Sequence, residues 1–123
     1  MKRLLLAILV SFPFSTAAQA EILHGFENPA SGFPAAGISI ISLWAFSTTP
    51  GATVSVEVEI DGKYIVNLSC GGERIDVKNF YPQYPNAAKS GCSTSVNWGN
   101  IPPGVHSLSW RMTGGGESKV VPQ

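Results

Sequence analysis

Charge is scarce in this chain. Lys and Arg together number eight and Asp and Glu eight, 13% of the residues, against about a quarter in ordinary globular proteins. No basic patch is available to grip a polyanion, which argues against nucleic-acid binding, and there is no acidic tail. Histidine is limited to His24 and His106, far apart in the chain, and cysteine to Cys70 and Cys92. Neither a CxxC pair nor a histidine close to the cysteines supplies the spacing of a zinc or redox site, so no metal and no cofactor is expected. Serines are plentiful, yet none stands in a Gly-x-Ser-x-Gly elbow. Helical periodicity, internal repeats and a second long apolar run are all missing after the first twenty residues, so no membrane span is expected.

What is present begins with those twenty residues. Lys2 and Arg3 precede an apolar run from Leu4 to Phe14, and Ala18-Gln19-Ala20 follows. A positive start, an apolar stretch too short to span a bilayer and small residues around one position predict a signal peptide over residues 1–20, cut before Glu21. No cysteine stands at that point, so a lipid anchor is not supported. The expected product is a periplasmic or secreted chain, a single domain over residues 21–123 with one core. Losing Lys2 and Arg3 leaves it slightly acidic.

Short runs rich in Val, Ile, Ser, Thr and aromatics alternate with Gly, Pro and Asn clusters, the pattern of an all-β chain. Seven strands are predicted: Ile22–Phe26, Ile38–Ser47, Thr53–Glu59, Lys63–Ser69, Ser93–Trp98, His106–Met112 and Ser118–Val121. Asn28–Ala36 reads as an irregular loop. The run Ile38–Phe46 is apolar at both parities, as in a strand covered on both faces, and Trp44 is its leading core candidate. For the hairpin around Asp61-Gly62, a three-residue loop pairs Glu59 with Lys63, Val58 with Tyr64, Val56 with Val66 and Val54 with Leu68. That register makes one face wholly apolar, leaves Ile60 partly exposed, and is the one expected.

Cys70 to Gly91 is long for a connection without a strand. Asp76 is placed to cap a helical turn carrying Val77, Phe80 and Tyr81, stopped by Pro82. The two cysteines bracket this segment, and in an exported chain their pairing is the default. Such a bridge is worth about 3 kcal/mol on a chain-entropy basis. The segment Phe80-Tyr81-Pro82-Gln83-Tyr84-Pro85-Asn86 is the leading candidate for a recognition surface. Proline-held aromatics there offer a platform for a sugar ring or a partner protein, with Gln83 and Asn86 as hydrogen-bonding groups. The reading favoured over that one is structural: Phe80 and Tyr81 plug one end of the fold, with Tyr84 alone exposed.

Several stretches in order resemble an immunoglobulin-like module of bacterial extracytoplasmic proteins. They are Glu27-Asn28-Pro29, Gly37 to Phe46, Val56 to Gly62, Arg74-Ile75-Asp76-Val77 with Tyr81-Pro82 and Ser90-Gly91, and Pro103 to Leu108. The sequence departs from that pattern at Leu43, where glycine is expected, and at Cys92, where an aromatic is. The resemblance implies an antiparallel β-sandwich of about seven strands, with one long loop carrying a short helical turn. It implies an accessory or adhesive role and brings no catalytic residues. Asn28-Pro29-Ala30-Ser31-Gly32 also looks like the Asn-Pro-x-x-Gly loop of small immunoglobulin-like inhibitors of cysteine peptidases, although no Arg-Pro-aromatic segment follows.

Other groups read as structural. His106 lies in the approach to a strand and His24 on an edge strand. Glu57 and Glu59 share a solvated strand face, and Gly114-Gly115-Gly116 makes a hairpin turn rather than a phosphate loop. The expectation is a non-enzymatic binding or structural module of the bacterial envelope, with an unknown protein or glycan as partner. A carbohydrate-binding module is the first alternative and a small peptidase inhibitor the second.

Overall fold

The computed structural model describes residues 20–123, so the signal peptide expected over residues 1–20, apart from Ala20, lies outside the described residues. Seven strands follow in chain order: β1 (Ile22–Asn28), β2 (Ile38–Ser47), β3 (Val54–Ile60), β4 (Lys63–Gly72), β5 (Gly91–Asn97), β6 (Leu108–Gly114) and β7 (Glu117–Pro122). One short helix, α1 (Ile75–Phe80), and a 3-10 turn over Pro85–Lys89 occupy the long segment between β4 and β5. The chain is thus all-β, as its alternating pattern predicts.

The strands form a single antiparallel sheet in the order β1-β2-β5-β4-β3-β6-β7. They do not separate into two layers. Strand β4 pairs with β3 through Leu68 and with β5 from Ser69 onward. One strand therefore carries the sheet round the corner, and the result is nearly a barrel rather than a clear two-sheet sandwich.

Every strand from β1 to β6 sends alternate side chains into one core. Ile41, Leu43 and Ala45 meet Val56, Val58, Ile60, Leu68, Val96 and Met112 around a fully buried Trp110. Its indole N–H donates to Gln123 Oε1 at 2.9 Å, so the one polar atom of the ring is satisfied. The barrel closes between its edge strands through side chains. Glu117 Oε1 accepts from the Ile22 N–H at 2.6 Å, Lys119 Nζ donates to the Ile22 carbonyl at 2.6 Å, and the Gln123 amide donates to the Pro29 carbonyl. Edge groups of β1 that would otherwise offer themselves to another strand are thereby occupied.

The β3–β4 hairpin differs from the register expected of it. Asp61 (φ 53°) and Gly62 (φ 81°) form a two-residue turn, and Ile60 faces Lys63. Glu59 then faces Tyr64, but Val58 faces Val66 and Val56 faces Leu68, so Ile65 is an extra residue, a bulge. The tight Asp-Gly turn matches the strand twist, and one inserted residue restores the parity it would have lost. The valines, Val66 and Leu68 do share the inner face, whereas Tyr64 turns outward at 57% exposure and Ile60 is buried at 5%. Glu59 pairs with Arg111 on β6 at 2.9 Å rather than with Lys63.

The two-sided apolarity of β2 also has a local cause. Trp44 is not in the main core. It lies with Phe46 on the outer side of β2, beneath the excursion between β4 and β5, where Leu23, Val77, Tyr81, Tyr84 and Ala87 complete a second cluster. Ile38 and Ile40, on the same outer side nearer the start of β2, remain exposed. The indole lies so close over Gly25 that a Cβ there would come within 2.5 Å of Trp44 Nε1.

Cys70 and Cys92 are directly opposed on β4 and β5 and form a disulfide that closes the excursion at its base. Asp76 does not cap α1. Arg74 holds the capping position without a side-chain cap, and its guanidinium bonds Asp76 at 2.9 and 2.7 Å and Glu27 of β1 at 2.9 and 2.7 Å. Those bonds hold the Asp76 carboxyl at about 2. No helix among the described residues is long and apolar enough to cross a membrane.

Candidate binding cleft

The aromatic segment singled out in the sequence is built chiefly for packing. Tyr84 and Tyr81 are half-buried, with ring centroids 5.7 and 5.5 Å from Phe46. Asn86 uses its whole amide on the loop between β2 and β3: Nδ2 donates to the Ser47 and Thr49 carbonyls at 2.8 and 2.7 Å, and Oδ1 accepts from Gly51 N–H at 3.3 Å. Gln83 is exposed. Phe80, expected to plug an end of the fold, is instead 76% exposed and meets the Tyr81 ring edge-on. Within the six-residue helix Val77 is buried, whereas Phe80, its last residue, is not.

A concave site lies at the opposite end of the barrel, where β2 and β6 begin and β3 and β5 end. Two irregular stretches meet there, residues 29–37 after β1 and 98–107 after β5. Proline and glycine keep both out of the sheet: Pro29, Gly32, Pro34 and Gly37 in the first, Gly99, Pro102, Pro103 and Gly104 in the second. Trp98 ties them together, its backbone N–H donating to Gly37 O at 2.8 Å and its indole to Ser39 Oγ at 2.7 Å. Between them opens a cleft of about 680 Å³, within the range of ligand sites. Phe33, Pro34, Trp98, Ile101 and Val105 line it, with Ile60 and Leu108 below. Neither stretch contains Asp, Glu, Lys or Arg, and His106 is their only ionisable side chain.

His106 braces the second wall. Its Nδ1 lies 2.5 Å from Asp61 Oδ2 and its Nε2 lies 2.5 Å from the Pro102 carbonyl. Asp61 Oδ1 also accepts from the Ser107 N–H at 2.9 Å, and the Asp61 N–H donates to Ser107 O at 2.9 Å. The hydrogen bond to Asp61, then that to Pro102, raises the His106 pKa. The same contact with His106, followed by the Ser107 amide, holds the Asp61 carboxyl below its ordinary range.

The remaining groups are dispersed. His24 lies on β1 against Phe26, 5.1 Å between ring centroids, and burial together with nearby Lys119 lowers its pKa. Glu57 stands beside the Glu59–Arg111 pair on the outer sheet face. No group of three or more His, Cys, Asp or Glu able to hold a metal ion occurs among the described residues. Gly115 and Gly116, at φ 60° and 86°, form the two-residue turn from β6 to β7.

The cleft escapes a reading of the sequence because its walls lie about seventy residues apart along the chain, and only the strand order brings them together. The available signal was negative: two proline- and glycine-rich stretches with no charged residue other than a histidine. Comparison of the chain with protein-family models, with curated proteins and with solved structures finds no match.

Proposed function

We propose that the protein is a non-enzymatic recognition module of the bacterial envelope, immunoglobulin-like in type, that takes an extended, uncharged and apolar stretch of a partner protein into the cleft between residues 29–37 and 98–107. The observation that carries this reading is the cleft itself, an apolar recess of about 680 Å³ in which His106 is the one ionisable side chain of the lining. Its walls are braced before any ligand arrives, which lowers the ordering cost of binding. The leader at residues 1–20 and the Cys70–Cys92 disulfide support work in the periplasm or outside the cell. A glycan is less well served, because the exposed aromatics among the described residues, Phe33, Tyr64 and Phe80, stand on three separate parts of the fold and offer no common platform.

Binding is tested with an array of uncharged apolar peptides followed by amide chemical-shift mapping. Shifts should concentrate in residues 29–37 and 98–107, and Phe33→Ala should weaken the best peptide about tenfold, the loss of a modest apolar contact. Shifts centred on Tyr81 and Gln83, or selective capture of glycans in place of peptides, would overturn the reading. One observation favours a second reading, peptidase inhibition: the Asn28–Gly32 loop sits at an end of the barrel beside two other segments, residues 98–107 and the Asp61-Gly62 turn. Titration against a papain-type cysteine peptidase separates the two.

A further inference from the structure

We propose that His106 is a proton-operated latch on the cleft: protonated, it holds the Pro102–Val105 lip in place, and on losing its proton it lets that lip go. The argument starts from the count of protons. A neutral imidazole has one N–H and one lone pair, yet both ring nitrogens of His106 lie 2.5 Å from oxygens, Asp61 Oδ2 and Pro102 O. A carbonyl donates nothing, and neither does an ionised carboxylate. Only the imidazolium satisfies both contacts.

Which contact fails on deprotonation follows from bond strength. A hydrogen bond to a carboxylate is stronger than one to a neutral carbonyl, so the remaining proton stays on Nδ1 and the Nε2 lone pair faces the Pro102 oxygen. Repulsion replaces attraction there. Ser107 keeps its two backbone bonds to Asp61 in either state, so β6 and the hairpin turn are not disturbed. Among the described residues no other hydrogen bond holds Pro102–Val105. Pro102 and Pro103 have no N–H, and Val105 is fully exposed. The mobile part is therefore the lip alone.

The charged surroundings are simple. Asp61 faces His106 from the β3–β4 turn, with Lys63 two residues further on and exposed. The facing stretch 29–37 and His106's own segment supply no other titratable side chain. Because the partners raise the folded-state pKa, the latch is fully closed below the ordinary value near 6.5. It opens as pH rises through the elevated one. That the lip controls ligand access rests on the reading of the cleft as a recognition site; the latch does not.

The test uses the ligand-free mature protein. Nitrogen-15 shifts of both imidazoles are followed against pH, together with the amide shifts and hydrogen exchange of Gly104 and Val105. His106 should titrate above the ordinary histidine range and His24 below it. His106 should pass from doubly protonated to the Nδ1–H form, and Gly104 and Val105 should shift and exchange faster with the same midpoint. Asp61→Asn should bring the midpoint down. In His106→Gln, which keeps a hydrogen-bonding side chain without a titration, the pH step at Gly104 and Val105 should vanish. A His106 midpoint at or below the ordinary value, or a lip that ignores it, overturns the latch. A responsive lip in a protein that captures no apolar peptide upholds the latch and overturns only the recognition reading.

Discussion

Tyr84→Ala separates packing from recognition in the segment that the sequence marks most strongly. The ring is half-buried against Phe46 at 5.7 Å and Tyr81 at 6.3 Å, in the cluster that fixes the excursion onto β2. A buried aromatic removes about 150–250 Å² from water. At about 25 cal/mol per Å², with part of the ring still solvated, truncation costs about 3 kcal/mol. Lost ring-edge contacts add on the order of 1 kcal/mol, and partial collapse into the gap returns some of it. We expect a net loss of about 2–3 kcal/mol, a fall in Tm on the order of 10–20 °C for a domain of this size. Differential scanning calorimetry of the oxidised protein measures this, and Tyr84→Phe, which keeps the ring, should lie close to wild type. A Tyr84→Ala protein melting within about 2 °C of wild type would refute the reasoning and return Tyr84 to the exposed surface.

Gly25→Ala should cost about 1–3 kcal/mol, because the new methyl drives the Trp44 indole off β1; a changed near-UV signal from Trp44 is expected with it, and an unaltered spectrum and stability would contradict the contact. Asn86→Ala should lower the urea midpoint by the equivalent of about 1–3 kcal/mol as the Ser47 and Thr49 carbonyls lose their donor, and an unmoved midpoint would show those bonds to be worth nothing. Glu117→Ala leaves the buried Ile22 N–H without its acceptor and should speed hydrogen exchange at Ile22 on opening the seam between β1 and β7, whereas Glu117→Gln should not; equal exchange in all three proteins would count against side-chain closure. Replacing both Cys70 and Cys92 by serine should cost about 3 kcal/mol in guanidinium unfolding, and a double variant as stable as the oxidised protein would contradict a bridge that constrains the unfolded chain.

The strand inventory was legible because strands write a period of two into the chain. Ile38–Ser47 has the bounds its composition predicts, and the other six lie within a few residues of theirs. The disulfide was legible from cysteine parity in a chain whose first twenty residues read as an export leader. Register was not. Asp61-Gly62 carries a turn preference and the valines carry a face preference, and sequence alone treats these as rivals. In the barrel both are met, because a bulge at Ile65 costs one ladder position and conserves the buried face. Trp44 is the first choice for the core in the sequence, and the structure gives that place to Trp110 instead. Both lie in strands with buried neighbours, and which ring enters the main core depends on strand parity.

Local chemistry, the alternation of side chains along a strand and the φ demands of Gly and Asp at turns, is written residue by residue, and the sequence by itself determined the all-β class, the seven strands and the pairing of the cysteines. Tertiary structure alone decided that the sheet curls round β4 into near closure, that Tyr84 and Asn86 serve packing, and that Asp61, Pro102 and His106 meet across the wall of a cleft. Each of those depends on residues about forty or more positions apart. Their meeting follows from strand order and sheet curvature, which the burial of the whole apolar set selects collectively and no local run of residues encodes.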